Sequence, residues 1–386
     1  MRRESAMTRR YACAALAAGV LSFSAAPAWP QASGGLLPRR ATLGVTLAVD
    51  ATDAVIVSAV PAGSAGAVAG VVPGDAIAAL DGTPVTSIAQ VQSLVGRHRG
   101  GDSLVIDVVR RGEQKRLVAV LQSFAHERLP HTTFDYGHVT LADGIRLRTI
   151  VSRPMKADRP APAVLFLQGG GCSSIDVPWA DGSTGPLGLI HAIASRGFVT
   201  MRVDKPGAGD SEGPPCAETG FREELAGYQM ALRALLADPA VDKSRVFLLG
   251  LSLGGFFAPL LARDVPVAGI SAYGTIALTP APYPGRSKRF FREIAVVDIL
   301  AAWAAVDARV QVLHGTYDAV STASDHAKIA AIVNGVHPGR AEHREFEGLD
   351  HCWTRHNTPE AGRDNCGGGE ATTSVNDAVL EFIGRP

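Results

Sequence analysis

The sequence has no excess of charge of either sign. Its 386 residues include 37 basic and 37 acidic side chains, which leave a formal net charge of zero at pH 7. A neutral chain has no general electrostatic attraction to a nucleic-acid backbone or an anionic membrane surface. Aromatic residues make up only 6% of the chain, too few for a platform that stacks single-stranded bases, and no GxxxxGK[ST] phosphate-binding loop occurs. We therefore expect no nucleic-acid partner and no cofactor.

Cysteine is also scarce, with five residues in the chain. The sequence contains no CxxC spacing and no cluster of cysteine with histidine, so it predicts no metal site. One of the five, Cys13, lies in the amino-terminal segment described below. The other four allow two disulfides in three pairings, or four free thiols: Cys172, Cys216, Cys352 and Cys366.

Hydrophobic residues, in contrast, make up 46% of the chain, enough to build a sizeable core. The 42 glycines and 24 prolines together stay well below the roughly 25% of a chain that marks low-complexity segments. At roughly 100 to 200 residues per domain, the length predicts two or three globular domains.

The amino terminus has the residue order of a secretory signal peptide. Four arginines precede an apolar run over residues 11–23, and small residues follow it: Arg2, Arg3, Arg9 and Arg10, then Ala25, Ala26 and Ala28. We predict a signal peptide over residues 1–32, cleaved after Ala28 or Ala32, with Sec and Tat export both open. The mature protein is then periplasmic or secreted and keeps no integral membrane span. An uncleaved anchor is the alternative, but the apolar run is short for a bilayer span.

Residues 41–122 alternate short strands with tight turns. Residues 55–60 and 76–80 are typical of strands, Ser87 and Gln90 form a capping box for a short helix, and residues 103–121 are typical of a hairpin. In this order the segment resembles the PDZ domains of bacterial exported proteases. The motifs that carry the resemblance are Leu43-Gly44-Val45, Pro61-Ala62-Gly63-Ser64-Ala65, Ala69-Gly70-Val71, Pro73-Gly74-Asp75 and Asp81-Gly82.

The resemblance implies that this domain binds the carboxyl terminus of a peptide. A PDZ domain adds the peptide as a strand to a sheet edge and holds its carboxylate on backbone N–H groups of a glycine-containing loop. Here that loop would be Leu43, Gly44 and Val45. The alternative is a domain that keeps the fold but only packs on its neighbour.

After an aperiodic linker, residues 123–132, strand and helix patterns alternate from residue 133 to residue 386. Such alternation predicts an α/β domain with a mostly parallel, doubly wound sheet covered by helices on both faces. We therefore expect a small, mainly β domain followed by a catalytic α/β domain.

Two GxSxG patterns occur in the second domain, and their contexts differ. Gly209-Asp210-Ser211-Glu212-Gly213 is followed by two prolines, which cannot continue as a helix from a sharp turn. Gly250-Leu251-Ser252-Leu253-Gly254 lies between an apolar strand and a segment that can continue as a buried helix. This strand, turn and helix order is what a nucleophile elbow requires, so Ser252 is the candidate nucleophile.

A serine hydroxyl needs a base, and the base needs an acid to orient it. Asp318 follows the strand predicted over residues 310–314, and His351 follows the strand predicted over residues 343–347. Since parallel strands place their carboxyl ends at one edge of the sheet, we predict Asp318 as the acid and His351 as the base. His356 is the reserve base, and Asp350 adjoins His351 too closely in sequence to orient its ring.

The oxyanion of an acyl-transfer reaction needs two backbone N–H donors. Leu253, directly after the nucleophile, is the first candidate. The second is Gly170 or Gly171, in the loop Gln168-Gly169-Gly170-Gly171-Cys172 after the strand over residues 163–168.

Together these features resemble the α/β-hydrolase superfamily, in its esterase, dienelactone-hydrolase and prolyl-oligopeptidase-like branch. The segment from Asp204 to Gly213 resembles the family's Asp-x-Arg-Gly-x-Gly-x-Ser loop and departs from it at Lys205-Pro206, a departure expected to leave catalysis untouched. The resemblance brings Cys216 near Cys172, and Cys352 directly follows His351. We therefore favour the disulfides Cys172–Cys216 and Cys352–Cys366.

The resemblance implies an exported serine hydrolase that cleaves carboxylic esters through an acyl-enzyme intermediate. A serine peptidase of the prolyl-oligopeptidase type and a non-catalytic peptide-binding protein are the alternatives. We expect residues 275–299, an irregular segment, to form a small lid that governs substrate choice. Its basic side chains are expected to form a solvated face: Arg286, Lys288, Arg289 and Arg292.

Overall fold

The computed structural model describes residues 36–176, 185–278, 280 and 282–385. The predicted signal peptide, with Cys13, lies outside these residues. Within the described ranges, no helix is both long and apolar enough to cross a bilayer.

The amino-terminal part of the described chain is a small, mainly β domain. Its strands are β1 (Ala41–Thr42), β2 (Thr46–Val49), β3 (Val55–Ala59), β4 (Ala76–Leu80), β5 (Thr83–Pro84), β6 (Ser103–Arg110), β7 (Glu113–Val120) and β8 (Gln122–Ser123), and its helices are α1 (Ala65–Val68) and α2 (Ile88–Gly96). The main sheet has the order β2-β3-β4-β6-β7, with β5 beside β4, so β2 lies at an edge. Strands β1 and β8 pair where the chain enters and leaves the domain.

Local sequence explains these elements. Alternate residues of β6 point inward, and Leu104 and Ile106 are fully buried, as expected for a strand with one covered face. Ser87 caps α2, because its Oγ accepts the N–H of Gln90 at 3.2 Å. The predicted capping box is only half correct, since the Gln90 side chain accepts from the N–H of Thr86 at 2.9 Å.

The larger part of the chain is an α/β domain. Its strands are β9 (Thr132–Thr140), β10 (Arg146–Pro154), β11 (Ala161–Leu167), β12 (Val199–Val203), β13 (Val241–Leu251), β14 (Gly269–Tyr273), β15 (Arg309–Gly315), β16 (Ala341–Phe346), β17 (Thr354–Arg355) and β18 (Glu370–Ala371). Its helices are α3 (Gly185–Ser195), α4 (Phe221–Ala237), α5 (Leu253–Asp264), α6 (Lys288–Ile294), α7 (Ile299–Ala304), α8 (Ala323–Val336), α9 (Pro359–Asp364) and α10 (Ser374–Gly384), with a 3-10 turn at Cys216–Glu218.

The central sheet has the order β16-β15-β14-β13-β11-β12-β10-β9. The strands from β16 to β12 pair in parallel, while β10 and β9 pair antiparallel at one edge. Apolar side chains of α4 to α8 cover one face, and those of α3 and α10 cover the other. The predicted doubly wound, mostly parallel sheet is confirmed.

One local expectation needs correction, and two further segments contain structure that the sequence did not show. The segment predicted to be irregular contains helix α6 and the start of α7. Between His351 and the last helix the chain also forms helix α9 and the β17–β18 pair, which have too few residues to show a periodicity. The linker is ordered, because the buried Glu127 bonds to Arg202 at 2.6 Å and to His191 at 3.0 Å.

The small domain is attached to the α/β domain by Arg39, just ahead of β1. Its guanidinium lies 2.5 Å from Asp176 and 2.6 Å from Asp210, and it stacks 4.4 Å above the ring of Tyr136. Both carboxylates are buried, so these ion pairs are screened less by solvent than surface pairs are.

Candidate active site

Ser252 lies at the sharp turn between β13 and α5. Its φ is 53° and its ψ is −121°, a strained conformation for a residue with a side chain. The turn is held by the Ser252 N–H, which donates to the carbonyl of Tyr273 at 2.8 Å. The backbone therefore presents the serine side chain at the carboxyl edge of the sheet, where sites in such folds are built.

The glycines around Ser252 are required by close packing. A Cβ on Gly250 would lie 2.6 Å from Gly255, and one on Gly254 would overlap the carbonyl oxygen of Leu167. A Cβ on Gly255 would lie 2.5 Å from the Cβ of Thr275. The turn can thus pack against its neighbouring strands only with hydrogen at these positions.

His351 and Asp318 lie together on the loops that follow β16 and β15. The Nδ1 of His351 is 2.7 Å from Oδ2 of the fully buried Asp318. Burial opposes ionisation of Asp318, but the hydrogen bond and charge of His351 outweigh it and lower the pKa of this carboxyl. The backbone N–H groups of Val320 and Ser321 also donate to Oδ1, at 2.7 and 3.0 Å. The acid is therefore held ionised beside the imidazole.

Gly274 connects this pair with the serine turn. It directly follows Tyr273, whose carbonyl holds Ser252, and a Cβ on Gly274 would lie 2.9 Å from the ring of His351. Tyr273 and Gly274 were missed by sequence reasoning because neither belongs to a motif. The structure thus brings Ser252, His351 and Asp318 to one region of the sheet edge.

The other histidine and the other GxSxG serine are engaged elsewhere. His356 Nε2 lies 2.8 Å from Asp350 Oδ2, a carboxylate that also accepts from Thr354 and Gly367. Ser211 is buried, accepts the N–H of Arg148 at 2.9 Å and donates to the carbonyl of Asp204. Both side chains therefore have hydrogen-bond partners other than the Ser252, His351 and Asp318 group.

The loop after β11, residues 168–172, lies beside Ser252. A Cβ on Gly169 would be 3.3 Å from the Cβ of Ser252. Two cations contact the loop carbonyls: Lys205 Nζ donates to Gly169 and Gly171, and Arg286 Nε donates to Gly170. Both cations pair with the buried Glu224. Burial lowers the pKa of Lys205 to about 8, while Glu224 acts against that shift.

These contacts bear on one expectation and correct another. Lys205 touches the candidate oxyanion loop, so the departure from the family motif is not remote from the site. The Arg286 side chain is fully buried and pairs with Glu224, so it does not belong to a solvated face. The sequence does contain a signal for Glu224. It lies on the same helical stripe as Phe221 and Tyr228, where a charged residue interrupts an apolar face.

The structure forms both favoured disulfides, Cys172–Cys216 and Cys352–Cys366. The first joins the loop after β11 to the turn that precedes α4. The second joins the residue after His351 to the turn that follows α9. Each disulfide therefore restrains a loop that carries a candidate site residue.

A cleft of about 1190 Å³ opens above these loops. Ser252, Leu253, Gly170, Gly171 and His351 line it. Much of the remaining lining is apolar: Pro186, Leu251, Ile276, Leu278, Pro280, Pro282, Tyr283, Pro284 and Val320. Among the described residues, no cluster of histidine, cysteine or acidic side chains could hold a metal ion.

In the small domain, Leu43, Gly44 and Val45 form the loop that leads into the edge strand β2. Gly44 has a φ of +67°, and a Cβ there would lie 2.7 Å from the Cβ of Ser64, so glycine is required. The N–H of Gly44 donates to Thr42 Oγ1 at 3.1 Å, and the carbonyl of Leu43 accepts the N–H of Gly66 at 2.8 Å.

Two family models match the chain. The model described as PDZ domain matches residues 41–120, and the model described as X-Pro dipeptidyl-peptidase (S15 family) matches residues 143–359. The second match covers more than half of the chain. The two matches fall on the small β domain and on the α/β domain, respectively.

Solved structures with the same α/β fold include one shorter protein and two larger peptidases. DcsB in complex with its substrate analogue is 17% identical, with a TM-score of 0.50, over 65% of this chain and 99% of that one. Acylaminoacyl peptidase of Pyrococcus horikoshii is 12% identical, with a TM-score of 0.53, over 75% of this chain and 55% of that one. Dipeptidyl peptidase 4 of Porphyromonas gingivalis is 16% identical, with a TM-score of 0.51, over 72% of this chain and 40% of that one. The chain thus spans about half the length of these peptidases, and the likeness shows a shared fold.

Proposed function

Because the chain belongs to the X-Pro dipeptidyl-peptidase (S15) family and carries a PDZ domain ahead of its α/β-hydrolase domain, we propose that it is an exported serine hydrolase that cleaves carboxylic esters. Ser252 is the nucleophile, His351 the general base, and Asp318 the residue that orients His351. We divide the chain into a signal peptide (residues 1–32), the PDZ domain (41–122), a linker (123–132) and the catalytic domain (133–386).

The observation that carries this proposal is the 2.7 Å pairing of His351 Nδ1 with Asp318, beside a serine held at a strained turn. With Nδ1 bound to a carboxylate, the ring has Nε2 left to take a proton from the nucleophile. Ser252 and His351 line the same cleft. A surface serine and a structural histidine would not require a strained turn, a carboxylate pair and a shared cleft together.

The reaction follows from these positions. Ser252 Oγ attacks the carbonyl carbon while its proton passes to His351, and the carbonyl electron pair moves to oxygen. The N–H of Leu253 and an N–H of the Gly170–Gly171 loop donate to that oxyanion. When the intermediate collapses, the alcohol leaves with the proton from His351 and the acyl group stays on Ser252. Water, deprotonated by His351, then releases the acid and restores the serine.

The apolar lining of the cleft favours an uncharged acyl group, which supports an ester substrate. The family description and the attached PDZ domain support the second candidate, a serine peptidase that acts on an X-Pro peptide. The same three residues would serve both reactions, so only substrates can separate them.

The test compares p-nitrophenyl butyrate with Ala-Pro-p-nitroanilide, using the disulfide-bonded protein, Ser252→Ala and Ser211→Ala. We expect ester hydrolysis by the wild type and by Ser211→Ala, the matched control from the other GxSxG motif, but not by Ser252→Ala. A fluorophosphonate should label the Ser252 peptide, as read by mass spectrometry. Faster cleavage of the anilide would favour the peptidase, and equal activity of Ser252→Ala and wild type would favour a non-catalytic binding protein.

For the PDZ domain we propose a peptide carboxyl terminus as ligand. Strand β2 lies at an edge of its sheet, so a peptide strand can pair there, and the loop Leu43-Gly44-Val45 precedes it. A fluorescent peptide with a free carboxyl terminus should bind more tightly than its carboxyl-terminal amide, as measured by anisotropy. Equal affinity for the two forms would contradict carboxylate recognition.

We also propose that the protein acts outside the cytoplasm. Its two disulfides are typical of an oxidising compartment, and the arginine-led apolar amino terminus is typical of export. Intact-mass analysis of the protein from the periplasm or medium should give a chain that begins at residue 29 or 33. A full-length cytoplasmic product with free thiols would contradict this.

A further inference from the structure

Three consecutive carbonyls in the loop after β11 are held by two cations. Lys205 Nζ donates to the carbonyls of Gly169 and Gly171, the latter at 2.9 Å, and Arg286 Nε donates to the carbonyl of Gly170 at 2.7 Å. Ordinary loops on a sheet edge expose their carbonyls to water or to other N–H groups. Here the loop is held by side chains of two segments that are distant in sequence.

The two cations and one carboxylate form a buried cluster. Glu224 Oε1 is 2.7 Å from Lys205 Nζ, and Oε2 is 2.9 Å from Arg286 Nη2. The three side chains are at most 1% exposed. Burying charge costs free energy that an apolar trio would avoid. Within this trio two positive charges face one carboxylate, and the neighbouring Asp204 carboxyl, whose pKa burial raises to about 7, also lies near Lys205.

Peptide geometry decides where the loop N–H groups point. No described peptide bond is cis, and in a trans peptide the C=O and the following N–H point in opposite directions. The N–H of Gly170 shares its peptide unit with the carbonyl of Gly169, so it points away from Lys205. It also directly follows Gly169, whose Cα faces the Ser252 side chain.

The cation also changes the strength of that donor. A peptide whose carbonyl accepts a bond from a buried ammonium is polarised, and its N–H becomes a better hydrogen-bond donor in a low-dielectric site. The bond from Lys205 to the Gly169 carbonyl would thus increase the partial positive charge on the N–H of Gly170, without direct contact between Lys205 and the oxyanion. Preorganised dipoles of this kind need no rearrangement when charge develops in the transition state.

We propose that Lys205, held by Glu224 and assisted by Arg286, is a positioning residue that orients and polarises the Gly169–Gly170 peptide, so that the N–H of Gly170 rather than that of Gly171 is the second oxyanion donor. This inference rests on the proposed function, because it takes Ser252 as the nucleophile.

The first test compares Lys205→Met, which keeps length but removes the charge, with Lys205→Arg, which restores it. With p-nitrophenyl butyrate, Lys205→Met should lower kcat about 10- to 100-fold while KM changes less than about threefold, and Lys205→Arg should recover most of the loss. The affinity for an alkyl trifluoromethyl ketone, whose adduct carries the oxyanion, should fall by the same factor as kcat/KM. Arg110→Met, which breaks the pair with buried Asp75 in the PDZ domain, is the control and should keep kcat.

An unchanged kcat in folded Lys205→Met, or a loss confined to KM, would overturn the inference. If Ser252→Ala remained active, the proposed function itself would fail. An inactive Ser252→Ala together with a fully active Lys205→Met would overturn only the role of Lys205.

A second measurement decides the matter if Lys205→Met does not fold. The charged and titratable groups that face Lys205 are Glu224 and Tyr228 from α4, Arg286, and Asp204 of its own loop. As burial lowers the pKa of Lys205 to about 8, the wild-type kcat should fall above that pH, and Lys205→Arg should carry the fall at least about one pH unit higher. Coincident alkaline limbs in the two folded proteins would overturn the inference.

Discussion

His356 lies 2.8 Å from the carboxylate of Asp350, while His351, five residues earlier, pairs with Asp318. Two histidines on one loop therefore have different carboxylate partners. Asp350 also accepts the N–H groups of Cys352, Thr354 and Gly367, so its pair with His356 ties together the loop that carries the candidate base.

Substituting the two histidines separately should distinguish these roles. His351→Ala should lower kcat/KM for p-nitrophenyl butyrate at least about 10³-fold, because it removes the base. It also removes the bond to Asp318, a carboxylate that keeps the N–H donors Val320 and Ser321. His356→Ala should instead reduce stability by about 1 to 3 kcal/mol, because it removes a buried bond to Asp350, and should keep most of the activity. Thermal melts and ester kinetics on both variants provide the measurement, and the reverse pattern would reassign the base to His356.

Replacing a glycine of the nucleophile turn should destabilise the protein even when the new side chain is a single methyl group. Gly254→Ala places a Cβ onto the carbonyl oxygen of Leu167, so β11 or α5 must shift, and we expect a loss of more than about 3 kcal/mol together with the activity. Gly335→Ala in helix α8 is the matched control, because a Cβ there meets nothing within 4 Å. It should be neutral or stabilise by up to about 1 kcal/mol. Urea unfolding followed by circular dichroism checks both, and equal stability of the two variants would contradict the packing argument.

Removing the disulfide next to His351 should affect stability and activity together. Cys352→Ser with Cys366→Ser opens a link across 14 residues, which we expect to cost about 3 kcal/mol of unfolding free energy. The freed loop should also lower kcat, since His351 directly precedes Cys352. If Tm falls but kcat is unchanged, the Asp350 network alone suffices to place the base.

Acid should destabilise the fold through His326, whose ring is fully buried between His314 and His343. Burial, with added repulsion from His314 and His343, lowers the pKa of His326 to about 4 in the folded state. The unfolded chain, with a pKa of about 6.5, therefore binds a proton that the folded chain does not, and stability is lost as pH falls from about 6.5 to about 4. The full effect is about 3 kcal/mol.

Urea unfolding at pH 7 and pH 4.5 measures this loss. His326→Gln should show a smaller difference between the two pH values than the wild type, because glutamine does not titrate. His131→Asn, at an exposed histidine, should behave like the wild type. An equal loss in His326→Gln and wild type would assign the acid sensitivity to other groups.

The local patterns of the sequence were sufficient for the small β domain, the α/β fold and most of the order of its elements, whereas the favoured disulfide partners came from the family resemblance. Apolar periodicity along the chain records which side of each strand or helix is buried, so the parallel sheet and its covered faces could be predicted. The two GxSxG serines also differ in local sequence. The residues after Ser252 permit a helix, whereas the two prolines after Gly213 do not.

The tertiary structure alone decided which charges are buried together. Lys205, Glu224 and Arg286 belong to a loop after β12, to helix α4 and to the segment before α6, and no sequence spacing relates them. Arg286 resembles its exposed neighbours Lys288 and Arg289 in sequence, yet it lies under the loop that faces Ser252. Asp350 is a second example. It is adjacent to His351 in sequence, but its carboxylate pairs with His356 in the fold. Ion pairs depend on distance and desolvation in three dimensions, whereas periodicity reports only burial along one element. The chain's motifs therefore indicated the candidate site but not the buried charges beside it.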